Sequence, residues 1–181
     1  MSVNGNELIV NNLERASKLV KSFKQVAVDQ SNLEKRHFVI KNYIEETLLS
    51  LKPQLKKTQH QVTVDGDEHL AMKSYPGAFS QIVTNLLMNS LIHAYQEGEA
   101  GNLNFVIRRE DKQIVVEYQD DGCGIAVEHL DKIFDPFFTT GRSKGGSGLG
   151  LHITYNLVRR CCIKKQIKFT IEIISLSINF A

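Results

Sequence analysis

Between Asp120 and Leu151 the chain sets two glycine clusters on either side of a phenylalanine-rich turn, an arrangement few folds accommodate. The first, Asp120-Asp121-Gly122-Cys123-Gly124-Ile125, begins directly after an alternating run from Ile114 to Gln119 that predicts a strand. It puts a carboxylate at a strand end, followed by glycines whose missing Cβ lets a flat ring approach the backbone. The second, Gly145-Gly146-Ser147-Gly148-Leu149-Gly150, closes a loop over 134–147 and opens a helix predicted over 148–160. Unpaired N–H groups at a helix start, with the helix dipole behind them, suit the oxygens of a phosphate. No Gly-Lys-Ser/Thr follows, so this is not a Walker loop, and a loop rather than a strand precedes it, so it is not a dinucleotide fingerprint. Taken singly, each cluster also fits an ordinary turn or a glycine hinge.

Two further segments bear on the same region. A helix predicted over 77–96, with Pro76 suited to its first turn, has an apolar face of Phe79, Ile82, Val83, Leu86, Leu87 and Leu91. Asn85, Asn89 and His93 follow one another at i, i+4 and i+8 and so share a stripe. Buried amides need partners, and an amide oxygen is a hard, neutral ligand that suits Mg²⁺. The run Ile133-Phe134-Asp135-Pro136-Phe137-Phe138-Thr139-Thr140 could pin a lid over a ligand. A hydrophobic cluster beneath a loop is the plainer alternative.

Elsewhere the chain reads as an ordinary globular domain with one appendage. Hydrophobic content is 42% and charged content 23%, so a globular soluble domain is expected rather than disorder, and a formal net charge of +2 gives no reason to expect nucleic acid as a partner. No apolar run spans a membrane and the start lacks the regions of a signal peptide, so a cytoplasmic location is expected, with any membrane anchor outside this chain. Three cysteines without a Cys-x-x-Cys pair argue against zinc. An amphipathic helix is predicted over 8–28, packing on a partner helix or back on the domain. Strands are expected over 37–40, 61–65 and 70–75, the last two joined through Gly66. Asn42 with Glu45 suggests a capping box for the intervening helix. Runs 103–109 and 114–119 predict an antiparallel hairpin, 126–133 a short helix and 168–173 a final strand. The apolar alternation changes phase at Ile173-Ile174, which demands a face change or a bulge. A truncated or altered C-terminus is the expectation, with the loss of one strand as an option.

Together, Asn85/Asn89, the Asp120 cluster, the phenylalanine run and the second glycine cluster resemble the nucleotide-binding region of sensor histidine kinases of two-component systems. That family belongs to a wider ATPase group with gyrase, a heat-shock chaperone and mismatch-repair proteins. The resemblance covers about 33–151 and, more weakly, the first helix. It implies a two-layer α/β sandwich of α+β type: a mixed, mostly antiparallel sheet covered on one face by helices. Residues 33–181 would form the ATP-binding domain, atypical from about 159, and 1–32 part of a dimerisation-hairpin helix. ATP and Mg²⁺ are the implied ligands. Asp120 would read the adenine amine and Asn89 would hold the metal. The remaining ATP-binding residues would be Asn85, His93, Ala94, Gly122, Gly124, Ile125, Phe134, Thr139, Thr140, Lys144, Gly146, Ser147, Gly148, Leu149 and Gly150.

The phosphoacceptor histidine of the family is missing, because His37, His60, His69, His93, His129 and His152 all lack its acidic-and-proline setting. The resemblance thus implies a protein-histidine kinase fragment that starts inside the hairpin, has no catalytic residue of its own, and binds ATP without phosphorylating itself. It would present the γ-phosphate to a histidine on a hairpin helix not present in this chain. A cognate response regulator is the implied downstream partner, and a homodimer through the first helix is a further option. Two other readings share the fold: a degraded kinase-like nucleotide-binding or dimerisation module without kinase activity, and a serine kinase or anti-sigma regulator.

Overall fold

The computed structural model describes residues 34–111, 113–142, 145–161, 167–173 and 176–180, with side chains described as far as residue 159. The helix expected over 8–28, and Lys144, lie outside the described residues.

Strand β1 (Arg36–Val39) passes without a loop into helix α1 (Ile40–Leu55). The Ile40 N–H donates to the Leu70 carbonyl at 3.0 Å, so a tertiary contact sets the start of this helix. Val39 is the N-cap, and the capping box expected at Asn42 is not formed. Ile40, Ile44, Thr47 and Leu51 are the buried stripe of α1, at the three-and-four spacing of one helix face. Thr47 Oγ1 and Ser80 Oγ are hydrogen-bonded at 3.2 Å, tying α1 to the next helix.

Strands β2 (Gln61–Gly66) and β3 (Ala71–Ser74) do not pair with each other, and Gly66, expected as the link between them, is the last residue of β2. β3 returns antiparallel to β1, whereas β2 enters the main sheet parallel to β4 (Asn102–Glu110). Next to it, β5 (Gln113–Asp120) completes the predicted antiparallel hairpin, with Leu103 opposite Asp120. β6 (Ile167–Ile173) runs parallel to β5, and β7 (Leu176–Phe180) antiparallel to β6. The sheet order is therefore β2-β4-β5-β6-β7, a mixed sheet. The option of a lost strand is corrected. The phase change at Ile173-Ile174 marks the passage between two paired strands, with Ile173 opposite Leu176.

Helices α1, α2 (Pro76–Asn89) and α3 (Gly150–Cys161) cover one face of the sheet. The core lies between the layers: Phe79, Ile82, Val83, Leu86 and Leu87 of α2 meet Leu103, Phe105 and Ile107 of β4 and Ile114, Val116 and Tyr118 of β5. No described helix is long and apolar enough to cross a membrane.

Strand β5 carries an acidic group into this core layer. Ile114, Val116, Tyr118 and Asp120 share one side of the strand, so a carboxylate continues the row of core residues.

Candidate functional site

That carboxylate opens into a cleft of about 400 Å³ between α2, the end of β5 and the segment 133–151. The volume lies within the range of sites for small organic ligands. Asp120 is only 3% exposed. Its Oδ2 accepts a hydrogen bond from Ser90 Oγ at 2.8 Å and its Oδ1 one from the Gly122 N–H at 3.2 Å. Burial pushes the Asp120 carboxyl above the ordinary carboxylate range, while the two hydrogen bonds pull it back. Its neighbour Asp121 points elsewhere. It accepts from the Asn102 N–H (2.7 Å), Asn102 Nδ2 (2.7 Å) and Tyr95 Oη (2.8 Å), and the Asn102 backbone bond is the main cause that holds it below the usual range. One aspartate of the pair thus faces the cleft and the other ties down the strand end.

Gly122 is not part of the cleft lining. A Cβ there would collide with Ala94, and the adjoining Cys123 N–H donates to the Ala94 carbonyl at 2.8 Å. Its glycine allows the strand end to dock on the end of the second helix. In that helix the α form stops at Asn89 and a π turn, Ser90–Ala94, replaces it. Four residues of an α-helix overshoot a full turn by roughly 40°. A π turn advances less per residue, so it carries His93 back toward the stripe of Asn85 and Asn89. Asn85, Asn89, Ser90, His93 and Ala94 all line the cleft.

The two asparagines have different surroundings. Asn85 Nδ2 donates to the Gly150 carbonyl (3.1 Å) and to Thr154 Oγ1 (3.3 Å), and its Oδ1 accepts from Gln81 Nε2 (2.8 Å). Asn85 therefore braces the start of α3. The Asn89 side chain makes no hydrogen bond with any described residue, and its Oδ1 would lie 3.3 Å from a Cβ at Gly150. A neutral oxygen directed at a helix start fits Mg²⁺, which keeps waters and phosphate oxygens as its other ligands. No group of three His, Cys, Asp or Glu among the described residues could hold a metal instead.

The far wall is the glycine-rich segment. Ser147 Oγ accepts the Leu149 N–H at 3.3 Å, and the Leu149 carbonyl accepts the first helical bond from Ile153 at 2.9 Å. The N–H groups of Gly150, Leu151 and His152 therefore start the helix without intrahelical partners. Gly148 has φ +70°, and its carbonyl accepts the Phe137 N–H at 2.8 Å. Phe137 itself has φ +70° and is 45% exposed, a strained conformation for a bulky residue. His93 sits beneath this segment, with Nδ1 3.2 Å from Thr140 Oγ1 and Nε2 3.5 Å from Thr139 Oγ1.

Of the residues selected from sequence, Asn85, Asn89, His93, Ala94, Asp120, Gly124, Ile125, Thr139, Thr140, Gly146, Ser147, Gly148 and Gly150 line this one cleft. Gly122, Phe134 and Leu149 do not. Phe134 packs on Tyr155 of α3 with ring centres 5.2 Å apart, and its carbonyl meets His152 Nδ1 at 2.9 Å. Phe138 takes the place at the cleft, its ring 5.4 Å from that of His129. Leu149 is buried under the loop. Sequence reasoning missed Ser90, Met88, Ile92 and His129. The apolar ones carry no chemical signal, and Ser90 is marked only by being polar on a core-facing helix.

Residues 75–174 match the family described as histidine kinase-, DNA gyrase B-, and HSP90-like ATPase. The sensor protein TorS of Escherichia coli (strain K12) is 29% identical over 153 residues, which cover 83% of this chain and 16% of that protein. The chain thus spans a small part of this relative's length. The catalytic domain of the histidine kinase ThkA, in a nucleotide-free form, superposes with a TM-score of 0.62 at 25% identity, over 71% of this chain and 82% of that one. A second structure holds ThkA in complex with the response regulator protein TrrA. It matches with a TM-score of 0.58 at 25% identity, over 74% of this chain and 39% of that one.

Proposed function

Because the chain belongs to the histidine kinase-, DNA gyrase B-, and HSP90-like ATPase family, we propose that it binds ATP with Mg²⁺ as the catalytic domain of a two-component sensor histidine kinase. One observation carries the reading. Asp120, Asn89 and Gly148, which come from a strand end, a helix and a loop, line the same cleft. Asp120 would accept a hydrogen bond from the adenine amine, Asn89 would hold the metal, and the start of α3 behind Gly146, Gly148 and Gly150 would receive the phosphates. A bound Mg²⁺ would neutralise phosphate charge. The chain's own part is to position the nucleotide, which is most of what phosphoryl transfer asks of a protein. The acceptor would be a histidine on a hairpin helix outside this chain, and the next partner a response regulator, as in the ThkA complex.

Titration of the 181-residue chain with an ATP analogue, with and without Mg²⁺, tests the first part. Affinity that Mg²⁺ strengthens and that Asp120→Asn abolishes is the expected result. No binding at millimolar nucleotide would instead indicate a kinase-like module that has lost the activity. Incubation with radiolabelled ATP and a hairpin supplied in trans tests the second part. Acid-labile phosphate is expected on the hairpin and none on this chain, whereas phosphoserine on a protein substrate would move it to the serine-kinase branch of the fold.

A further inference from the structure

We propose that Ser90 and Tyr118 set the nucleobase preference of the cleft by holding Asp120 as an acceptor-only carboxylate. The inference rests on the adenine-reading role proposed for Asp120. Three buried polar groups stand in a row: Tyr118 Oη lies 2.7 Å from Ser90 Oγ, and Ser90 Oγ lies 2.8 Å from Asp120 Oδ2. All three residues are at most 3% exposed, so these bonds are well shielded from solvent. A serine hydroxyl has a single proton to give. An ionised carboxylate only accepts, so Ser90 donates to Asp120 and Tyr118 must donate to Ser90. The only other acceptor near Ser90 Oγ among the described residues is the Leu86 carbonyl, at a longer 3.5 Å. Tyr118 keeps its proton readily, because burial pushes its hydroxyl well above the usual tyrosine range.

The direction of this row decides what the cleft accepts. Asp120 Oδ1 is held by the Gly122 N–H at 3.2 Å and keeps a second lone pair. A purine with a 6-amino group offers that lone pair a donor. A 6-oxo purine opposes it with another acceptor, and a buried clash of that kind discriminates strongly. If Asp120 instead held a proton, it could donate to the 6-oxo group and the preference would weaken. Burial drives Asp120 toward that protonated form, and Ser90 supplies the side-chain hydrogen bond that opposes it. Ser90 lines the cleft, whereas Tyr118 does not and acts only through Ser90. Both are positioning residues.

The test is calorimetric titration of the full chain, in Mg²⁺, with the 5′-triphosphates of adenosine, guanosine and purine riboside, the last lacking the 6-amine. Wild type should prefer ATP. Ser90→Ala should weaken ATP by about tenfold, the scale of a lost hydrogen bond to a charged group, and narrow the ATP-to-GTP ratio. Purine riboside triphosphate should change by less than about twofold, because its binding never used the amine. Tyr118→Phe removes one oxygen from the far end of the row and should shift the ratio in the same direction, with thermal unfolding confirming that both variants are folded. Equal losses for ATP and purine riboside triphosphate, or an unchanged ATP-to-GTP ratio in both variants, would overturn the inference while leaving the adenine role of Asp120 intact. A wild type that binds no triphosphate would overturn that role first and the inference with it.

Discussion

Asp120 and Asp121 are neighbours with opposite electrostatic surroundings, and each has its own consequence. The Asp120 carboxyl is raised in the folded chain, chiefly by burial. The folded state then holds a proton that the unfolded state has released, so stability falls as pH rises from the ordinary carboxylate range through the raised value. At neutral pH the ionised Asp120 costs stability. Asp120→Asn should therefore melt at or above the wild-type temperature while losing ATP binding, a separation that scanning calorimetry and titration resolve together. Asp121 is lowered, chiefly by the Asn102 N–H. Its stabilisation is present above the ordinary carboxylate range and is lost as pH falls through the lowered value. Asp121→Ala should cost about 1 kcal/mol at neutral pH, a figure kept low because the group is exposed, and leave nucleotide affinity unchanged. The alternation Ile114, Val116, Tyr118, Asp120 makes the choice between the two aspartates legible in the sequence. The Ser90 contact is not legible, because it needs both the strand register and the π turn thirty residues upstream.

At the scale of elements, the strands and helices follow from their periods, but their ends do not. Helix α1 starts where a backbone bond to Leu70 places it, and the second helix keeps its predicted length only by changing to a π turn at Ser90. Neither the partner of Ile40 nor a change of helical pitch is written in local spacing. The phenylalanine run shows the same limit. Spacing marks a loop that packs on something, yet packing alone decides that Phe134 goes under α3 and Phe138 to the cleft. The glycine cluster, by contrast, is legible because the backbone needs it. At Gly148 a Cβ would collide with the carbonyl of Phe137, and φ is +70°. Gly148→Ala should therefore displace the loop and the helix start together. Competition titration should show ATP affinity down by at least about tenfold, the loss of one or two backbone donors to phosphate, and adenosine affinity within about twofold, since Asp120 does not move.

Across the whole molecule, the cleft joins parts that folding must first bring together: α2 with its π turn, the end of β5, and the segment leading into α3. The hairpin of β4 and β5 is local, and its short link makes it readable. The parallel pairing of β2 with β4 and of β5 with β6 is not, because such partners are chosen by the sheet and not by a turn. A ligand seated among these elements binds only when all are in place, so its binding free energy adds to the stability of the fold as a unit. At a nucleotide concentration one hundred times Kd the gain is about 2.7 kcal/mol, enough to raise the melting temperature by several degrees. Asn89 should divide that gain. In wild type, chelating Mg²⁺ should remove much of the ATP-induced rise. In Asn89→Ala the rise should be smaller and the same with or without the metal, because the amide that no described residue hydrogen-bonds is gone. Asn85→Ala should differ in kind, lowering the melting temperature even without nucleotide, since that side chain braces α3 through Gly150 and Thr154. A wild-type rise that ignores Mg²⁺ would separate Asn89 from the metal and leave the phosphates to the helix start alone.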